Sequence, residues 1–203
     1  MNRQSHIANV VRKVRHYLIT NFGKTSQEAS DEEFYQAICS ALREEIMINW
    51  IATSKTFEKA KHRKLYYLSL EYMPGRLLAN NLMNIGSLEL VKHALKALGR
   101  DFESIMKMEL DVGVGNGGLG RLASCFMDSL ATKRFPAMGF GLRYQYGIFE
   151  QELLCGIQVE RPDKWLQHKN PWEFRNDSWD AVVQFNGNLV DRKSEDGQVH
   201  HDI

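Results

Sequence analysis

The stretch Asp111-Val-Gly-Val-Gly-Asn-Gly-Gly-Leu-Gly-Arg121 carries glycines at 113, 115, 117, 118 and 120 and runs into Leu119, Leu122, Ala123, Phe126, Met127 and Leu130, apolar residues at helical spacing. Glycine lets the backbone come close to whatever faces it, and a helix start points unpaired N–H groups and a positive dipole end the same way. The physical expectation is an anion site, phosphate foremost. A tight strand-to-helix connection that binds nothing would use the same residues. Two named motifs share the glycine spacing, and both fail on side chains. Gly113-x-Gly115-x-x-Gly118 fits a dinucleotide fingerprint, which wants an acidic residue about 20 positions on. Met138 stands there, and no Asp or Glu occurs between Asp128 and Glu150. A Walker loop needs Lys and then Ser or Thr after its last glycine, where this chain has Arg121-Leu122.

Upstream of this stretch, Lys64 to Tyr72 (KLYYLSLEY) is a short aromatic and aliphatic run stopped by Met73-Pro74-Gly75, which predicts a buried strand. Ser87 to Leu98 has helical periodicity, with Gly99 as its cap. Downstream, Ala137–Tyr146, Ile148–Leu154 and Val182–Val190, the last with an Asn186-Gly187 turn, read as strands. The first sixty residues read as helices. Val10, Val11, Val14 and Leu18 form one stripe, and Ser30-Asp31-Glu32-Glu33 is a capping box opening a long helix to about residue 59. The expected organisation is a helical region over 1–60 and an α/β domain with a largely parallel sheet over 61–203. The chain stops at His200-His201-Asp202-Ile203, just past the Asp196-Gly197 turn signal where a returning strand is expected, so it reads as interrupted.

The 203 residues carry 26 Lys plus Arg against 25 Asp plus Glu, a formal net charge of +1, and 43% hydrophobic residues. Such a balance suits an ordinary globular protein and supplies no field for nucleic acid or an anionic membrane. Cys39, Cys125 and Cys155 lie far apart, which points to reduced thiols in a cytoplasmic setting. The N-terminus has no signal-peptide pattern, and no apolar window is long enough to span a membrane. The histidines form no metal-binding spacing, so no metal is expected.

Tyr66-Tyr67-Leu-Ser-Leu-Glu71-Tyr-Met-Pro-Gly75-Arg76 and Gly115-Asn-Gly-Gly-Leu-Gly-Arg121 resemble motifs of the glycogen/starch (α-glucan) phosphorylase family. Gly139-Phe-Gly-Leu-Arg143-Tyr-Gln-Tyr-Gly-Ile-Phe149 extends the likeness, as do Gly156-Ile-Gln-Val-Glu160 and Asp163-Lys-Trp165 through Asn170-Pro-Trp-Glu173. The resemblance covers roughly the first quarter of such enzymes and is closer to the bacterial branch. It implies the N-terminal, Rossmann-like part of a two-lobed GT-B glycosyltransferase fold, here truncated, with the active site between the lobes. It implies phosphorolysis of α-1,4-glucan by inorganic phosphate to glucose 1-phosphate, and a homodimer for the whole enzyme. It also implies a pyridoxal phosphate whose phosphate group takes part in proton transfer and whose lysine lies in the C-terminal lobe, beyond this chain.

Carried onto this sequence, Asn116, Gly117, Gly118 and Leu119 would line the glucose and phosphate site, with Gly117 and Gly118 also near the cofactor phosphate. Glu71 and Asn116 would be the catalytic-site side chains, Glu71 orienting cations from the other lobe; without the resemblance, the preferred reading of Glu71 is a strand-end carboxylate in a salt bridge. Arg76 and Arg121 read as structural cations. Ser54-Lys55-Thr56-Phe57-Glu58 departs from the AMP-contacting stretch of the regulated animal enzymes, so AMP activation is not expected. A segment of this kind is expected to be inactive alone. The rival readings are a phosphate- or glucan-binding module without chemistry, and a truncated piece with no independent role.

Overall fold

A computed structural model describes residues 3–176, 178, 182, 190–193 and 199–202. The chain divides into two compact units, Met1–Trp172 and Glu173–Ile203. In the first, α1 (Arg3–Phe22) buries Val14 and Leu18 and leaves Arg12, Arg15 and His16 at the surface, as the stripe predicts. The next helix, α2 (Asp31–Ala60), opens on the expected capping box. Glu33 N–H donates to Ser30 Oγ (3.2 Å), and Ser30 N–H donates to the Glu33 carboxylate (2.8 Å). It runs unbroken for 30 residues.

After β1 (Leu65–Leu68) come α3 (Leu78–Asn84), α4 (Leu88–Ala97) and α5 (Phe102–Met106). Val14, Leu18, Phe34, Ile38, Leu82, Val91, Leu95 and Ile105 from these helices and the first two make one core. Gly99, at φ +72, closes α4 with paired bonds from Arg100 N–H to the Leu95 carbonyl (2.9 Å) and from Gly99 N–H to the Lys96 carbonyl (3.1 Å). This is a Schellman ending. Arg100 then ties the turn to the start of α2. Its guanidinium donates to Asp31 (3.1 Å) and to the Ala29 carbonyl (2.6 Å), and lies over the Phe34 ring.

Two further elements complete the parallel unit, α6 (Gly118–Thr132) and β2 (Ala137–Phe140). β1 and β2 pair in parallel, in register from Leu65↔Ala137 to Leu68↔Phe140. Here one expectation, the buried strand, is corrected. Three of the four β1 residues are exposed rather than buried, and in α6 only Gly120 and Ala123 are buried, while Leu119, Leu122 and Phe126 are exposed. Burying a parallel strand takes neighbours on both edges and helices on both faces, whereas among the described residues β1 has the single strand partner β2.

The pattern that sequence alone reads as a largely parallel sheet is, among the described residues, one parallel pair and two antiparallel pairs. The first of these is a hairpin, β3 (Glu150–Leu154) with β4 (Ile157–Arg161), joined through Cys155 and Gly156, both at positive φ. A two-residue connection of that handedness can join only antiparallel neighbours. The second unit holds the other, β5 (Val190–Lys193) with β6 (Val199–Asp202), where the returning strand past Asp196-Gly197 is expected. The Asn186-Gly187 turn lies outside the described residues. Mixed helix and strand, the coarse fold class, is what the structure shows.

Candidate functional site

The chain leaving β1 runs along the glycine-rich stretch. Tyr72 N–H donates to the Val114 carbonyl (2.9 Å), Met73 N–H to the Gly120 carbonyl (3.0 Å), and Arg121 Nη1 to the Met73 carbonyl (3.3 Å). Tyr72 also reaches across the parallel pair. Its hydroxyl donates to the Tyr67 carbonyl (2.7 Å) and lies 3.1 Å from that of Phe140. Burial, and secondarily the neighbouring Tyr67, pushes the Tyr72 phenol above its ordinary pKa, which keeps it a neutral donor. Tyr144 hydroxyl donates to the Leu70 carbonyl (3.0 Å), and Trp165 Nε1 donates to the Tyr144 carbonyl (3.2 Å). The runs 66–76, 111–121 and 139–149, together with Trp165, thus converge on one place.

Glu71 and Asn116, far apart in sequence, meet here. Asn116 N–H donates to Glu71 Oε2 at 2.8 Å. The carboxylate is therefore an acceptor for the loop's own backbone, and the salt bridge that the strand-end reading suggested does not form among the described residues. It also means that the Asn116 amide is engaged within the chain, leaving its exposed side chain free to face outward. Arg76 does pair, with Asp111 at 3.6 Å, but both partners are exposed and the pair contributes little.

Gly117 is the N-cap of α6 and Gly118 its first residue. Arg121 N–H is the first to find a helical acceptor, the Gly117 carbonyl at 2.9 Å. The amides of Gly117, Gly118 and Leu119 precede it and have no intrahelical partner. Leu119 itself is 74% exposed.

The five glycines separate into two kinds. A Cβ on Gly113 would collide with the Trp165 indole, one on Gly115 with the Tyr72 carbonyl, and one on Gly120 would sit 3.0 Å from Glu71 Oε2. The first two are required by the chain's own packing, and at Gly120 a side chain would have to displace the Glu71 carboxylate by a few tenths of an ångström. At Gly117 and Gly118 a Cβ would meet nothing within 4 Å, and neither has a positive φ. Nothing in the packing of the described residues demands glycine at these two positions, which are those beside the amides without an intrahelical partner. Sequence spacing alone does not reveal that division. It also misses Tyr72 and Tyr144, whose role comes from hydrogen bonds across the sheet end.

Among the described residues no group of three His, Cys, Asp or Glu side chains could hold a metal ion, and no helix is long and apolar enough to cross a membrane. Cys39 is buried, and Cys125 and Cys155 are exposed free thiols.

A model of the carbohydrate phosphorylase family matches residues 95–203. The glycogen phosphorylase of Chlamydia trachomatis is 44% identical over 176 residues, which are 85% of this chain and 22% of that protein. That of Haemophilus influenzae is 42% identical over 189 residues, 93% of this chain and 23% of its own length. That of Saccharomyces cerevisiae is 41% identical over 186 residues, 85% and 20% respectively. The chain spans less than a quarter of the length of these relatives.

Proposed function

The chain belongs to the carbohydrate phosphorylase family, and from that premise we propose that it supplies the phosphate side of an α-1,4-glucan phosphorylase active site. In this reading residues 1–60 are the N-terminal helical region, and 61–203 are part of the Rossmann-like N-terminal lobe of a two-lobed GT-B enzyme. The second lobe closes over the start of α6. The observation that carries the reading is the pair Gly117 and Gly118, open to solvent beside amides that no helical carbonyl accepts.

The chemistry follows from that geometry. Phosphate oxygens accept from the Gly117, Gly118 and Leu119 amides, where the helix dipole adds to the attraction. The absence of side chains at 117 and 118 lets the anion approach the backbone. Glu71 fixes the loop from behind through the Asn116 amide, a charge-assisted bond worth about 1.5–3 kcal/mol. The outward Asn116 side chain is placed to donate to a sugar hydroxyl or a phosphate oxygen. With both phosphate and glucan held, the phosphate gives its proton to the glycosidic oxygen and attacks the anomeric carbon as the bond to that oxygen breaks, so that glucose 1-phosphate and a glucan one residue shorter form.

Pyridoxal phosphate, the cofactor that the family implies, fits this donor set, because main-chain amides at a helix start suit a second phosphate as well as the first. Gly117 and Gly118 would lie beside it, and its anchoring lysine belongs to the other lobe. When bound it supplies a phosphate group for proton transfer to and from the reacting phosphate. The whole enzyme is read as a cytoplasmic homodimer acting on glycogen or maltodextrin.

The test is phosphorolysis of maltoheptaose by the full-length protein and by residues 1–203. Release of glucose 1-phosphate is expected from the first and not from the second. No release from the full-length protein loaded with cofactor would end the phosphorylase reading, and robust release from residues 1–203 would end the two-lobe one.

A further inference from the structure

Glu109 is 2% exposed and the one buried charged residue among those described. It lies just before the glycine-rich stretch, and its carboxylate gathers donors from two other segments. Oε1 accepts from Leu77 N–H (2.8 Å), Leu78 N–H (3.1 Å) and Trp172 Nε1 (3.3 Å), while Oε2 lies 3.2 Å from Leu78 N–H. Leu78 begins α3, a helix with no side-chain cap of its own, and is fully buried. Burying a carboxylate is costly unless such donors surround it, so these contacts hold Glu109 and the segments that supply the donors in one arrangement.

The two segments that frame the candidate site, 71–78 and 109–120, are therefore joined twice. At the outer end Glu71 takes the Asn116 amide, and at the inner end Glu109 takes the Leu77 and Leu78 amides. Besides these two carboxylate clamps, the Tyr72–Val114 and Met73–Gly120 backbone bonds and the tight approach of Gly115 to Tyr72 hold the same two segments together. Trp172 adds a third segment to the inner clamp.

We propose that Glu109 is a positioning residue. It sets where the glycine-rich loop departs and so where the Gly117 and Gly118 amides stand, without touching substrate. The proposal deepens the phosphate-site reading and rests on it.

The test uses the full-length protein with Glu109→Asp, Glu109→Gln and the core control Leu95→Ala, which lies outside the loop. Two readouts are taken well below the unfolding temperature: amide hydrogen exchange at Tyr72, Met73 and Asn116, and KM for phosphate against KM for glucan. Glu109→Gln keeps an oxygen for the same donors and is expected to stay within about twofold of the parent in both. Glu109→Asp draws the carboxylate back by one methylene and is expected to exchange about tenfold faster at those three amides, with KM for phosphate raised about tenfold and KM for glucan little changed. The control is expected to lower the melting temperature and leave both readouts alone.

If Glu109→Asp changes exchange at these amides no more than Leu95→Ala does, the positioning role is overturned. If exchange rises while KM for phosphate stays put, Glu109 does anchor the loop, and it is the phosphate-site reading that is overturned instead.

Discussion

At the residue scale the glycines make the sharpest prediction, because the same substitution should act in opposite ways a few positions apart. Gly115→Ala places a methyl against the Tyr72 carbonyl, in backbone that cannot retreat, and is expected to cost at least about 2 kcal/mol of stability. Gly118→Ala adds its methyl to open space in a helical conformation and is expected to leave stability unchanged or raise it by about 0.5 kcal/mol. If the full-length protein is the phosphorylase proposed above, the same change should nevertheless raise its KM for phosphate about tenfold by holding the anion off the amides, a loss of the order of one hydrogen bond. Urea unfolding of both variants and phosphate kinetics of the second check this. A Gly118→Ala enzyme with unaltered phosphate KM would count against the cradle. The spacing of the five glycines does not distinguish these positions; in the sequence only the family resemblance set Gly117 and Gly118 apart. What separates them is Tyr72, Trp165 and Glu71, brought in from elsewhere in the fold.

At the scale of elements, the capping box at the start of α2 couples stability to acid. The Lys24 ammonium, 2.6 Å from the Glu33 carboxylate, and then the Ser30 amide hold Glu33 below its ordinary pKa. The ionised form is thus favoured in the folded state. Its stabilisation is fully present above the unfolded value of about 4.3 and is lost as pH falls through the lower folded value. Urea midpoints measured at pH 6 and pH 3 should therefore drop further for the parent chain than for Glu33→Gln, and equal drops would remove the capping box from the acid response. This box was legible because both partners lie within four residues of each other, and so were α1, α4 with its Gly99 ending, and the opening of α6 at Gly117-Gly118. Among the described residues, the elements left unassigned are α3, α5, β4 and all of β5 beyond Val190. The first turn of α3 is capped by Glu109, which no local window contains, and β4 presents only Val159 inward among polar neighbours. Strand burial was misjudged for a related reason. An apolar run such as Leu65–Leu68 states what a strand could bury, while its exposure depends on which neighbours are present.

For the whole molecule, the uncovered faces of β1 and α6 matter most. Leu68 is 77% exposed, and Tyr66, Leu70, Phe140, Leu142, Leu119, Leu122 and Phe126 are exposed with it. Apolar surface on this scale marks an interaction face. Residues 1–203 produced alone are expected to self-associate in sedimentation velocity and to bind a hydrophobic dye, and a clean monomer at high concentration would contradict this. The parallel pairing of β1 with β2 has a kinetic consequence as well. Four helices, α3 to α6, separate the paired strands along the chain. Pairs so distant in sequence form late, because the entropy of closing a long loop is spent before the ladder returns any of it. Pulse labelling during refolding should find the amides of α1, α2 and α4 protected while those of Leu65 and Ser69, which bond to Pro136 and Phe140, still exchange freely. The proposed phosphate cradle, built where that late ladder ends, would then be among the last parts of the molecule to take shape, and a nascent chain would hold a finished helical core well before the loop that is to face the anion had settled.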